Sequence, residues 1–123
     1  MKLFVYGTLK KGYGNHPVLD GAKFIGNCRM WNAEMYTLGG YPGLKKTDKL
    51  EDCVDGELYE IDDAILKRCD LLEGHPKFYL RKQGQVQMTP TRDPKFPTDI
   101  EECSYYEYPH PVDQRHRITG TSW

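Results

Sequence analysis

Val54-Asp55-Gly56-Glu57-Leu58-Tyr59-Glu60-Ile61 runs directly into Asp62-Asp63 and a helical pattern, and this stretch decides the fold class. Successive side chains on a strand point to opposite faces. Val54, Gly56, Leu58 and Glu60 therefore share one face, and Asp55, Glu57, Tyr59 and Ile61 the other. Both faces carry apolar groups, so the strand reads as part of a barrel-like sheet rather than one wet on a single side. Downstream, Ile65, Leu66, Cys69 and Leu72 keep the spacing of a single helical stripe. Asp62 or Asp63 supplies the N-cap, Gly74 the residue just past the end, and Pro76 the stop.

Working outward, Leu3-Phe4-Val5-Tyr6 is too short for a helix and reads as a buried strand ending at Gly7. Residues 22–31, 34–38, 78–88 and 103–108 read as further strands, the third of these broken at Gly84. Gly39-Gly40-Tyr41-Pro42-Gly43 is dense in turn residues and reads as a loop. So does the stretch 89–97, which holds Pro90, Pro94 and Pro97. Residues from His110 onward are polar and read as a tail or a peripheral strap. Many short strands with one good helix and no βαβ alternation make an α+β domain. The expected organisation is a domain over 1–108 and a C-terminal tail over 109–123, packed on it or extending from it.

The chain has 123 residues, which suits one domain. Lys and Arg number 17 against 18 Asp and Glu, for a net charge of -1. That balance argues against a nucleic-acid partner, which calls for a basic excess or patch. No apolar run approaches the ~18–20 residues of a membrane span, and the opening run is too short for a secretory signal, so the expected location is the cytoplasm, with no membrane partner. Cys28, Cys53, Cys69 and Cys103 are widely spaced, form no C-x-x-C, and read as small buried hydrophobes.

Much catalytic chemistry is missing. The serines are Ser104 and Ser122, and neither sits in a G-x-S-x-G elbow. No phosphate-binding glycine motif occurs, since Gly12-Tyr13-Gly14 lacks its third glycine. His16, His75, His110 and His116 show no metal-ligand spacing, and His110 and His116 read as solvated. No metal and no cofactor are expected.

Two features remain. Tyr6-Gly7-Thr8-Leu9 closes the first strand. Backbone can approach a ligand closely at a glycine, and successive N–H groups in such a turn can cradle an anion. Taken alone, the same residues also read as a plain tight turn. Glu73 stands at the helix C-terminus, where converging carbonyls disfavour a carboxylate. Shielding by Leu71, Leu72, Phe78 or Tyr79 would raise its pKa further and make it a usable acid or base. An exposed helix-end glutamate with an ordinary pKa is the other reading of that position.

Val5-Tyr6-Gly7-Thr8-Leu9-Lys10-Lys11-Gly12, Asn15-His16, Tyr41-Pro42-Gly43-Leu44, Val54 to Ile61, and Asp70-Leu71-Leu72-Glu73-Gly74 with Tyr79 and Arg81 occur in that order. Together they resemble the γ-glutamylcyclotransferase-like superfamily, most closely its γ-glutamylamine cyclotransferase and AIG2-like branch. The resemblance runs to about Tyr108. It departs at Cys69, where leucine is common, and in the tail, which has no clear counterpart.

The resemblance implies a small mixed β-barrel with one main helix. It implies an enzyme that closes a γ-glutamyl group onto itself, releasing 5-oxoproline and a free amine, with a small γ-glutamyl molecule as substrate and no cofactor. Glu73 matches the catalytic glutamate as general acid and base. Gly7, Thr8 and Leu9 would hold the substrate through backbone N–H groups, with Tyr6 on the pocket wall. Tyr79 would orient Glu73 through its hydroxyl. Of the neighbours Tyr105 and Tyr106, one faces the pocket, and Tyr105 is the expected one. Arg81 reads as a surface ion pair, Lys10 and Lys11 as solvated, and residues 39–43 as a cover or a simple turn. The assembly is expected to be a monomer or homodimer. A non-catalytic binding or interaction module on the same fold is the alternative.

Overall fold

The computed structural model describes residues 1–89 and 99–123. Its strands are β1 (Lys2–Val5), β2 (Lys23–Trp31), β3 (Ala33–Thr37), β4 (Pro42–Lys46), β5 (Cys53–Glu60), β6 (Leu80–Thr89) and β7 (Ile100–Glu107), with one helix, α1 (Asp63–Glu73). Five strands close a barrel in the order β1-β5-β2-β6-β7, and β3 and β4 form a separate hairpin. Neighbouring barrel strands run antiparallel except β1 and β7, which close the barrel in parallel at Leu3 and Ser104. The α+β barrel expected from the sequence is the observed fold.

β5 shows why both its faces needed apolar groups. It lies between β1 and β2, with Leu58 opposite Phe4 and Val54 opposite Met30. All five strands send alternate residues into one cluster, among them Phe4, Met30, Leu58, Val86 and Tyr105. The intervening residues Leu3, Val5, Tyr59 and Tyr106 form a second cluster with Ile65 and Cys69 of α1. β1, β5 and β7 thus serve both an inner core and an outer core under the helix, whereas β2 and β6 contribute to the inner core.

α1 begins where expected. The Asp62 carboxylate accepts a hydrogen bond from the Ile65 N–H at 2.9 Å. Two expectations change. Pro42 and Gly43 belong to β4, which pairs with β3 and places Gly43 opposite Tyr36, so the turn cluster is shorter than its composition suggests. β6 is not broken at Gly84, which pairs with Cys103; a Cβ there would stand 2.9 Å from the Tyr105 ring, so this glycine makes room for a core side chain. Apart from Thr89, the proline-rich stretch at 89–97 lies outside the described residues.

Among the described residues, no helix is long and apolar enough to cross a membrane. The four cysteines are free; Cys28, Cys69 and Cys103 are buried and Cys53 is half-buried.

Leu58 is fully buried at the centre of the barrel. Leu58→Ala should lower the stability by about 2–5 kcal/mol, read as an earlier midpoint in a urea titration.

Candidate active site

β1 carries the first half of the site. Its alternation sends Phe4 and Tyr6 into the barrel core and Leu3 and Val5 toward the helix. Where the strand ends the chain turns sharply, and the Lys10 N–H donates to the Gly7 carbonyl at 3.1 Å. Asn15 fixes this turn: its N–H donates to the Thr8 carbonyl at 3.1 Å and its side-chain amide to Thr8 Oγ1 at 2.9 Å. His16 Nδ1 lies 2.9 Å from the Leu9 carbonyl, so that nitrogen carries the ring proton. These bonds use the carbonyls. The N–H groups of Gly7, Thr8 and Leu9 have no acceptor among the described residues. All three residues line a cavity of about 390 Å³. Gly7 is there for space: a Cβ would stand 2.7 Å from Pro42 Cγ on the facing wall.

Glu73, the last residue of α1, lines the same cavity. Gly74 adopts the left-handed conformation (φ 64°, ψ 33°) that glycine tolerates best. The His75 N–H then reaches back to the Asp70 carbonyl at 3.0 Å, and the Tyr79 N–H to the Glu73 carbonyl at 3.2 Å. The reversal aims the start of β6 back past the helix end. The Glu73 carboxyl makes no hydrogen bond or ion pair with the described residues, and burial pushes its pKa up to about 7. The expected effect of the helix carbonyls is not needed to account for this shift.

Four tyrosines line the cavity, and the hydroxyls of three of them, Tyr6, Tyr79 and Tyr106, are committed elsewhere. Tyr6 donates to the Tyr106 carbonyl at 2.6 Å and accepts from the Leu44 N–H at 3.2 Å. Tyr79 donates to the Pro42 carbonyl at 2.6 Å. Tyr106 donates to Asp70 Oδ1 at 2.6 Å, and Arg81 holds the other oxygen of that carboxylate. Burial, with the Glu73 charge adding to it, pushes the Tyr6 and Tyr79 hydroxyls well above their usual pKa.

The structure brings Tyr6, Gly7, Thr8, Leu9, Glu73 and Tyr79 to one cavity. Tyr79 does not orient Glu73 through its hydroxyl, because the Pro42 carbonyl takes that proton. Tyr105 is not at the cavity. The alternation of β7 turns it into the barrel, and Tyr106 takes its place on the wall. Lys10 is not solvated but buried, its Nζ 3.3 Å from Ser122 Oγ and 3.1 Å from the Trp123 carbonyl. Arg81 is a half-buried partner of Asp70 and does not line the cavity. Asn15, Leu72 and Phe78 also line it. In the sequence Asn15 stands within the Asn15-His16 block, with no site role assigned to it. Among the described residues, no cluster of three or more His, Cys, Asp or Glu side chains gathers to hold a metal.

The family model for "Gamma-glutamyl cyclotransferase, AIG2-like" matches residues 3–123, so the match includes the segment after Tyr108. The gamma-glutamylcyclotransferase family protein YtfP of Escherichia coli is 32% identical over 123 residues, covering 100% of this chain and 96% of its own. The rat gamma-glutamylaminecyclotransferase is 36% identical over 112 residues, covering 85% of this chain and 75% of its own. A mouse AIG2-like protein of known crystal structure superposes with a TM-score of 0.82 at 28% identity, covering 99% of this chain and 86% of its own.

Two outcomes follow from this geometry. Gly7→Ala should cut turnover at least about tenfold by forcing the loop off Pro42, since small displacements of positioning groups cost rate steeply; steady-state kinetics would show it. Glu73 also makes stability depend on pH. Its folded pKa lies above the ordinary 4.5, so the stability present below about pH 4.5 is lost as pH rises through about 7. Glu73→Gln should match wild type in thermal unfolding near pH 4.5 and exceed it at pH 8. The gap should be on the order of 1–2 kcal/mol, allowing for the half-exposed residue.

Proposed function

The chain belongs to the gamma-glutamyl cyclotransferase, AIG2-like family, and on that premise we propose that it is a γ-glutamylamine cyclotransferase with Glu73 as general base and acid. One observation carries the reading. A half-buried carboxyl, unpaired among the described residues and pushed up to a pKa of about 7, shares a cavity with three backbone N–H donors that have no acceptor among those residues. The likeness to the rat gamma-glutamylaminecyclotransferase supports an amine as the leaving group.

The chemistry is intramolecular. Glu73 takes a proton from the substrate α-ammonium. The freed amine attacks its own γ-carbonyl carbon, and a five-membered ring closes through the new C–N bond. The negative charge that develops on the carbonyl oxygen is accepted by N–H groups of the Gly7–Leu9 turn. The ring nitrogen gives up its second proton, and the bond to the leaving nitrogen breaks as Glu73 delivers a proton to it. The products are 5-oxoproline and the amine, which takes up both protons and leaves as its ammonium, so no net proton is consumed.

Magnitudes explain why so few groups suffice. Holding the folded substrate conformer can exploit effective molarities of about 10⁵–10⁸ M, worth ~7–11 kcal/mol. An oxyanion donor adds ~2.7–4 kcal/mol where such donors have been removed one at a time. A carboxyl with a pKa near the working pH can serve in both proton transfers.

Release of 5-oxoproline from γ-glutamyl amines tests the reading. Glu73→Gln should lose about 10²–10⁴-fold in kcat while remaining folded. In wild type, kcat/KM should fall as pH drops through about 7, because the base must be deprotonated. Full turnover in Glu73→Gln would move the proton transfers to another group.

A further inference from the structure

Asp70 stands one turn before Glu73 on α1, and side chains three residues apart on a helix are neighbours, their Cβ atoms about 5–6 Å apart. The Asp70 carboxylate bridges two strands of the barrel. Tyr106 of β7 donates its hydroxyl to Oδ1 at 2.6 Å, and Arg81 of β6 pairs with Oδ2. Tyr106 and Arg81 stand directly opposite each other across those strands. Tyr106 lines the same cavity as Glu73, whereas Arg81 and Asp70 do not. Helix end, strands and cavity wall thus meet at one carboxylate that no step of the proposed chemistry uses.

Both donors suit any carboxylate. A buried phenol needs an acceptor, and a guanidinium carries only donors. Glu73 is the second carboxylate at this helix end, and it is unpaired among the described residues. Around it stand Tyr6 after β1, Tyr41 before β4, Tyr79 before β6, Tyr106 of β7 and Cys69 of α1. No Lys, Arg or His is among the described residues lining the cavity. His75, past the helix end, lies edge to face with the Tyr106 ring at 6.5 Å and accepts the Arg81 N–H on Nδ1 at 2.9 Å. While Asp70 holds the Tyr106 hydroxyl and Arg81, burial alone raises the Glu73 pKa.

We propose that Asp70 is a positioning residue for the base: it keeps the Tyr106 hydroxyl and the Arg81 guanidinium from Glu73, and so leaves the Glu73 carboxyl free to exchange protons with substrate. The inference rests on the cyclotransferase reading above. Asp70 touches no reacting atom and acts only through the groups it holds.

The test follows the Glu73 carboxyl by NMR in protein carrying isotope-labelled glutamate, its signal assigned by its loss in Glu73→Gln. Asp70→Ala frees both donors. It should lower the titration midpoint of Glu73 by about one pH unit or more, since a hydrogen bond or a cation at a carboxylate favours the ionised form. Asp70→Asn keeps an acceptor for Tyr106 but no charge for Arg81, and should lower it by less. Loosening of the helix end would also lower the midpoint, by admitting water, but removing further partners could not then restore it. Adding Tyr106→Phe or Arg81→Met to Asp70→Ala takes away one freed donor, and at least one of the two additions should recover about half of the shift or more. The acid limb of kcat/KM for 5-oxoproline release should move with the midpoint. If Asp70→Ala does not fold, Asp70→Asn with and without Arg81→Met decides in the same way. A midpoint unmoved in the folded Asp70 variants, or a drop that no added substitution reduces, would overturn the role. The expected shifts in a protein that releases no 5-oxoproline as wild type would uphold the control of Glu73 by Asp70 and overturn the cyclotransferase reading instead.

Discussion

A carboxylate beside tyrosine hydroxyls ordinarily accepts hydrogen bonds from them, and each such bond favours the ionised form and lowers the pKa. Glu73 stands in a cavity walled by Tyr6, Tyr79 and Tyr106 and receives none. A buried phenol needs an acceptor, and each of these has one in place: the carbonyls of Tyr106 and Pro42, and the Asp70 carboxylate. Burial of Glu73 is therefore not offset by hydrogen bonding, and its pKa stays high. The raised pKa of Glu73 depends on where its neighbours' protons go.

Those commitments also build the cavity. Tyr6 directly follows β1, and its hydroxyl accepts the Leu44 N–H of β4, which ties the hairpin to the barrel. Tyr79 fixes the first residue of the same strand, Pro42, through the carbonyl. Pro42 in turn fits against Gly7 so closely that no Cβ could be added there. The two hydroxyls withheld from Glu73 thus hold the strand that shapes the donor turn opposite it. Charge state and shape are consequences of the same bonds, which makes the site hard to alter in one respect only.

The parts of this arrangement legible in the sequence were those set by local rules. The two apolar faces of Val54–Ile61 announced a strand with cores on both sides, and Asp62 and Gly74 marked the ends of the helix. Glu73 and the Gly7 turn could be singled out because a helix end and a strand end have known electrostatics. Tyr105 and Tyr106 could not be separated, because alternation says that neighbours differ without saying which one faces in. That depends on the register of β7 against β6, which pairs Tyr106 with Arg81 across the strands. The hydroxyl of Tyr79 was misjudged for a similar reason: its acceptor, Pro42, lies 37 residues away. Pro42 itself was read as turn because its composition is that of a turn, whereas its conformation follows from pairing with Thr37.

Residues 109–123 show how far such long-range bonds extend. The Ile118 N–H donates to the Met35 carbonyl at 2.9 Å, and Arg117 pairs with Glu34 at 2.8 Å and Asp52 at 3.2 Å. Further on, the Asp55 N–H donates to the Thr121 carbonyl at 2.7 Å, and Ser122 and Trp123 take the Lys10 ammonium. The first contacts brace the hairpin that carries Pro42; the last brace the residue directly after Leu9. Exposed ion pairs contribute little by themselves. Here they accompany backbone bonds and a buried lysine, so their effect is to hold two elements in register. Because the hairpin and the donor turn form facing walls of one cavity, a segment that touches both constrains the distance between them. The ring closure proposed above would depend on that constraint, since the rate advantage of such a reaction comes from holding one conformer with the reacting atoms aligned.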